Sequence, residues 1–235
     1  MFRSIIRRLE RSRKLTIKQL ELSSSKAEIA RDEDLEIMVQ LWKAFQTRKV
    51  KSYDNFFNVC IYASLVGRDI AYLSDSFVKT QEISERNVVS RLLSMTLIEF
   101  LDDINGLLGK DLRTELQMLE FEQHLDELRS INKAFSSLKK ENQAELRKIR
   151  NNAAAHKTKN ALSLLEFNKN VDSDKIFTLS AEVSQTNVKL TKLTTQILYS
   201  IIDEQKGELE VLKIKSQEIQ VEFEELKKKT PDSSR

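Results

Sequence analysis

Four glycines and a single proline are the only strong backbone breakers in this chain of 235 residues. Glycine supplies tight turns and proline ends helices, so their scarcity leaves few places for the chain to reverse. The intervals are rich in Leu, Glu, Lys and Gln, which all favour helix. An all-α protein of long helices follows. The length is enough for one sizeable core or two small ones. Apolar residues at 40% and charged residues at 32% fit a folded chain with a highly charged surface.

Apolar spacing places the helices. The acids of "DEDLEIMVQLWKAF" suit a helix N-terminus and precede a stripe of Leu35, Met38, Val39, Trp42 and Phe45. A second helix is expected from about 52 to 73, then a loop over 74–84 closed by Ser84 as N-cap. A third spans 85–109, ended by Gly109. A fourth covers 111–135 and breaks at "SSLKKEN". A shorter helix follows over about 138–154, and 157–172 reads as irregular. Asp172 or Ser173 can cap a long last helix. From Leu198 through Ile202, Gln205, Leu209, Leu212, Ser216, Ile219 and Phe223 to Leu226, that helix carries steps of four and three, a heptad seam that calls for a partner helix. The organisation expected is a basic arm at 1–31, a helical bundle at 32–204 and a coiled extension and tail at 205–235.

The arm sets nine basic residues against Glu10, Glu21 and Glu28, with Phe2, Ile5, Ile6 and Leu9 on one helical face. It resembles both a solvated terminal helix and an organelle presequence; Glu10 speaks against the second. "KLTIKQLEL" alternates apolar and polar residues, which allows a short strand over 14–22. No apolar run approaches the roughly 18 residues that span a bilayer, and nothing reads as a secretory signal, so a cytoplasmic protein is expected. Lys and Arg number 39 against 36 Asp and Glu, a net charge of +3, which admits a nucleic-acid partner only where the cations cluster.

Chemistry has little material to work with. There is no glycine-rich phosphate loop, no paired-histidine zinc helix and no nucleophile elbow. Cys60 is the only cysteine and sits in the apolar "NFFNVCIYASLVG", where it reads as a buried small residue. Glu99, Asp102 and Asp103 read as a solvated helix face rather than a metal site. Two histidines remain. His124 lies in "EFEQHLDELR", an ordinary helix position among carboxylates. His156 follows Arg150 by six residues in "LRKIRNNAAAHKTK". An imidazole exchanges protons near neutrality, and a guanidinium forks onto phosphate oxygens. Together they suffice, without metal or cofactor, to cleave RNA: histidine moves the proton of the 2′-OH or of the leaving oxygen, and arginine steadies charge at phosphorus. Six steps of an unbroken helix would set the two about 120° apart and ~9 Å along the axis. Either the helix ends between them or two helices, for instance from two copies, assemble the site.

Arg150, Asn151 directly after it and His156 resemble the signature of the HEPN superfamily (higher eukaryote and prokaryote nucleotide-binding domains). In that signature an arginine, a polar residue often asparagine, and a histidine follow one another within four to six intervening positions. "RLLSMTLIEFLDDINGLL" is similar to a core helix of that family, and "DSDKIFTLSAEVSQTNVKLTKLTTQIL" to its closing helix, so the resemblance covers about 52–204. It implies a HEPN-like bundle, usually dimeric, with Arg150 and His156 catalytic and Asn151 orienting or binding at the dimer cleft. It further implies metal-independent RNA cleavage to a 2′,3′-cyclic phosphate, in toxin–antitoxin or phage-defence settings, with an antitoxin or defence partner. The competing expectation is a non-catalytic scaffold that dimerises through its coiled segment.

Overall fold

The computed structural model describes residues 35–47, 52–154 and 161–229. All regular elements among them are helical, with no strand. The helices are α1 (35–47), α2 (Asp54–Lys79), α3 (Ile83–Leu107), α4 (Lys110–Met118), α5 (Leu125–Ile149), α6 (Ala161–Lys169) and α7 (Ser173–Lys229). A 3-10 turn at Glu122–His124 leads into α5, and a π-helical turn at Arg150–Ala154 follows it. The all-α expectation therefore holds. The basic arm and the strand expected at 14–22 lie outside the described residues. None of the described helices is long and apolar enough to cross a membrane.

The chain divides into two units, Met1–Thr191 and Lys192–Arg235. In the first, side-chain contacts fix how the long helices run. Tyr62 of α2 stacks on Phe100 of α3 with ring centroids 6.0 Å apart. Phe100 in turn meets Phe135 of α5 edge-on at 5.4 Å, and Ser136 donates to Asn105 Oδ1 at 2.7 Å. On the other side of α2, Phe77 stacks on Phe177 at 4.9 Å, the Ser74 and Ser180 hydroxyls pair at 3.0 Å, and the Asn187 amide donates to the Ala63 carbonyl at 3.1 Å. Along α2 and α7 residue numbers fall on one helix as they rise on the other, so this pair is antiparallel. Arg86 over the Phe77 ring together with Tyr62 on Phe100 gives α2–α3 the same sense, and Asn132 to the Leu108 carbonyl, Ser136 to Asn105 and Lys139 to Asp102 give it to α3–α5. Gly67 permits the close approach of α7: a Cβ there would lie 2.5 Å from Asn187 Nδ2.

Helix α3 is the most enclosed. Leu93, Leu97, Ile98, Phe100, Leu101 and Ile104 are all buried, and so are Ser90 and Ser94. The two serines meet the rule that buried polar groups are bonded by donating back to carbonyls one turn earlier, Arg86 and Ser90. On α7 the buried stripe within the first unit is Ile176, Leu179, Val183, Thr186 and Leu190, again in steps of three and four. Its N-terminus is capped by Asp172, whose Oδ1 accepts the Lys175 N–H at 3.0 Å. In the second unit α7 continues with Leu193, Ile197 and Ile201 buried and with Ile214 and Ser216 exposed. The buried stripe thus begins well before the seam read from Leu198 and is offset by one residue from Leu198 and Ile202.

A carboxylate 60 residues away holds the start of α2. Glu115 of α4 is only 8% exposed; its Oε2 accepts the Asn55 backbone N–H (3.0 Å) and side-chain amide (2.9 Å), and its Oε1 accepts the Phe56 N–H (2.8 Å). These are N–H groups that a helix cannot satisfy internally. Burial pushes the Glu115 carboxyl above its usual range, with the bonds from Asn55 and Phe56 working the other way. Asp54 beside it takes the Trp42 indole N–H at 2.7 Å and the Gln46 amide at 3.1 Å, tying α1 to α2.

Four boundaries differ from the sequence reading. The loop expected at 74–84 is instead the last turns of α2 through Lys79 and a link at 80–82, because Phe77 buries itself on Phe177. Ser84 lies inside α3, with Glu82 at the N-cap position. The break expected at "SSLKKEN" does not occur, since Phe135 and Leu146 are core residues at either side of it. The interruption falls instead at Leu119–Phe121, where Glu120 adopts φ 63° and the Phe121 and Glu120 N–H groups bond to the Leu116 and Gln117 carbonyls, a Schellman closure. Finally, α6 occupies part of the stretch read as irregular over 157–172.

Glu120 is exposed and holds a left-handed conformation that costs a side-chain-bearing residue about 1 kcal/mol. Glu120→Gly should therefore stabilise the fold by roughly 0.5–1 kcal/mol. Urea unfolding checks this, as a raised midpoint at unchanged slope; a lowered midpoint would contradict the role given to this closure.

Candidate nucleic-acid interface

The last turn of α5 is where the arginine of the motif is set. Arg150 still has α-helical dihedrals, and its N–H donates to the Leu146 and Arg147 carbonyls. Regular α geometry stops at Ile149, and Arg150–Ala154 form one wider π-helical turn packed against α3 and α6. Such turns are rare and are often found at functional sites. The Asn152 side-chain amide donates to the Lys148 carbonyl at 3.0 Å and so ties the turn back to α5. Asn152 is a functional candidate that the motif does not include. Its signal in the sequence was faint, an asparagine four residues after a lysine in a helical run.

Arg150, Asn151 and Asn152 are all half-buried. Among the described residues the Arg150 guanidinium has no hydrogen-bond or ion-pair partner. Its neighbour Arg147 differs: it donates to both oxygens of Asp102 on α3 (3.1 and 3.3 Å), and Lys139 reaches the same carboxylate at 2.8 Å. Burial raises the Asp102 carboxyl, but the bonds and charges of Lys139 and Arg147 outweigh it and hold the group below its usual value. Asp102 therefore absorbs two of the local cations and leaves Arg150 unopposed. Lys148 also makes no ion pair among the described residues; its ammonium lies 5.7 Å from the centre of the Phe167 ring on α6. Arg91 of α3 donates to Asn168 Oδ1 at 3.3 Å, joining α3 to α6 beside the turn. Lys175 at the start of α7 pairs with Glu145 of α5.

Arg150 and Asn151 thus share one turn. His156 lies outside the described residues. His124 stands half-buried at the N-cap of α5, its N–H bonded to the Phe121 carbonyl. Of the acids considered for metal binding, Asp102 is paired as described, Asp103 accepts the Tyr62 hydroxyl at 2.9 Å and Glu99 is exposed. Among the described residues no group of His, Cys, Asp and Glu is arranged to hold a metal ion. Cys60 is buried. No family model matches this chain, nor does any curated protein or solved structure.

The Asp102 bridge yields a pH dependence. Its folded-state pKa is depressed, so over the acidic titration range the unfolded chain binds more protons and stability rises with pH. The contribution is complete above the unfolded carboxylate pKa and is lost as pH falls through the lower, folded value. Asp102→Asn should cost no more than about 1 kcal/mol at neutral pH. The gap from wild type should shrink on acidification, read from urea midpoints at pH 7 and pH 3; a gap of constant size would remove the bridge from the account.

Proposed function

We propose that this protein is a HEPN-type, metal-independent endoribonuclease acting in the cytoplasm, toxin-like or in phage defence. Arg150 and His156 are its catalytic pair, and Asn151 orients the site. The observation that carries the reading is that Arg150, a half-buried residue on a π-helical turn, has no carboxylate partner among the described residues while Arg147, one turn earlier, has one. A cation kept clear of acids suits an anionic ligand, and an arginine suits the forked geometry of a phosphate. In the proposed reaction His156 accepts the ribose 2′-OH proton. The 2′-oxygen attacks phosphorus, the bond to the 5′-oxygen breaks, and a protonated imidazole supplies the leaving oxygen with its proton. Arg150 balances the charge that builds on the phosphoryl oxygens.

The test is purified protein with a mixed RNA pool, with and without EDTA. Cleavage should survive the chelator and leave 2′,3′-cyclic phosphate ends. His156→Ala should lower the rate by roughly 10²–10⁴-fold. Arg150→Ala and Arg150→Lys should both be impaired, because a point charge does not reproduce two parallel bonds. Asn151→Ala should lose less. Wild-type cleavage by His156→Ala would sink the mechanism.

A second reading keeps the fold and drops the chemistry: a scaffold that dimerises through α7. It is favoured by the uninterrupted run of α7 over Ser173–Lys229, which includes the whole heptad stretch 198–226. The nuclease reading also calls for two copies, near 147–156, with an antitoxin or defence-system protein as a further partner. Both therefore expect a dimer by sedimentation equilibrium at micromolar concentration, and a clean monomer would remove the composite site and the scaffold together.

A further inference from the structure

The ribonuclease reading leaves open how the chain would hold RNA, and the surface beside the π-helical turn carries features that phosphate contact alone does not explain. Phe167 is a half-buried phenyl ring on α6, the helix against which the turn packs. Lys148, two residues before Arg150, stands over that ring at 5.7 Å without an ion pair among the described residues. The guanidinium of Arg91 is held by Asn168, the next residue on α6. Cations and an aromatic ring interleaved in this way match what single-stranded nucleic acid needs: charge for the backbone and a flat apolar face for a base.

We propose that Phe167 is a stacking platform for an unpaired base of the RNA bound at Arg150, and that Lys148 exchanges the ring for a phosphate when the base arrives. The inference rests on the nuclease reading for its class of ligand. Relative magnitudes favour the exchange. An exposed ammonium over a phenyl ring is the weaker contact. A base on an aromatic side chain is the stronger one, and the displaced lysine gains a phosphate partner. The flexible four-carbon stem of Lys148 allows the move without shifting α5. A paired base already stacks on its neighbours and cannot use the ring, so the platform selects single strands.

Fluorescence anisotropy on the full chain tests this, using a labelled 12-nucleotide RNA of mixed sequence, single-stranded or annealed to its complement. All proteins carry His156→Ala so that the probe stays intact. Phe167→Leu should weaken single-strand binding about 5- to 100-fold. Phe167→Trp should restore it, and thermal melting confirms that both variants are folded. Duplex binding should be weaker and indifferent to position 167. Lys148→Gln should reduce the slope of log affinity against log salt by about 0.7. Undiminished single-strand binding by Phe167→Leu overturns the platform, as does equal loss in Phe167→Leu and Phe167→Trp, or a polyglutamate peptide that binds with the same dependence on Phe167. Those results leave the cleavage experiment untouched. Phe167-dependent binding by a chain whose wild type never cuts RNA would sink the nuclease and keep the platform. A wild type that binds no RNA overturns both.

Discussion

Phe100 joins three helices. One of its faces stacks against Tyr62 of α2 and its flank meets Phe135 of α5, so a single side chain on α3 sets the spacing of both neighbours. Aromatic pairs in these geometries add about 0.5–1.5 kcal/mol each beyond the area they bury. The burial of Leu97, Ile98, Leu101 and Ile104 around it makes α3 the axis of the first unit. Everything proposed for the Arg150 turn depends on that axis, because α3 supplies both the backing of the turn and the Asp102 carboxylate that neutralises Arg147.

The helical class could be read directly from the chain, since so few glycines and prolines leave little alternative. Boundaries could not, and each miss has its own physical cause. "SDSFVK" looks like a loop by composition, yet Phe77 finds Phe177 and the serine hydroxyls find partners, Ser74 on Ser180 and Ser76 on the Tyr72 carbonyl. "SSLKKEN" looks like a break, yet it lies between two buried anchors. The true break at Glu120 carries no glycine, and a left-handed glutamate leaves no mark in a sequence. Tertiary contact outweighed local preference in the first two places, and backbone closure did so in the third.

The candidate site was legible to the same partial degree. Arg150 and Asn151 are singled out by their order in the chain, and the structure gives them a common turn. What the sequence could not convey is that the turn is widened, that Asn152 closes it, or that Asp102, distant by 45 positions from Arg147, separates one arginine from the next. Phe167 is equally invisible, because it stands in the stretch 157–172, which reads as irregular. A linear motif names the reacting groups, while the groups that ready them come from other helices.

The widened turn also has a bearing on how this chain can change length. A π-helical turn holds one residue more than an α-helical turn, so a single inserted residue is enough to create one in an otherwise regular helix. The reverse step is open too. Loss of one residue between Arg150 and Ala154 would let α5 run on with ordinary periodicity over the same number of turns, so the face taken by each later position on that helix would barely change. A length change of one residue here is thus absorbed within a single turn, and the bundle's packing upstream of Ile149 stays as it is.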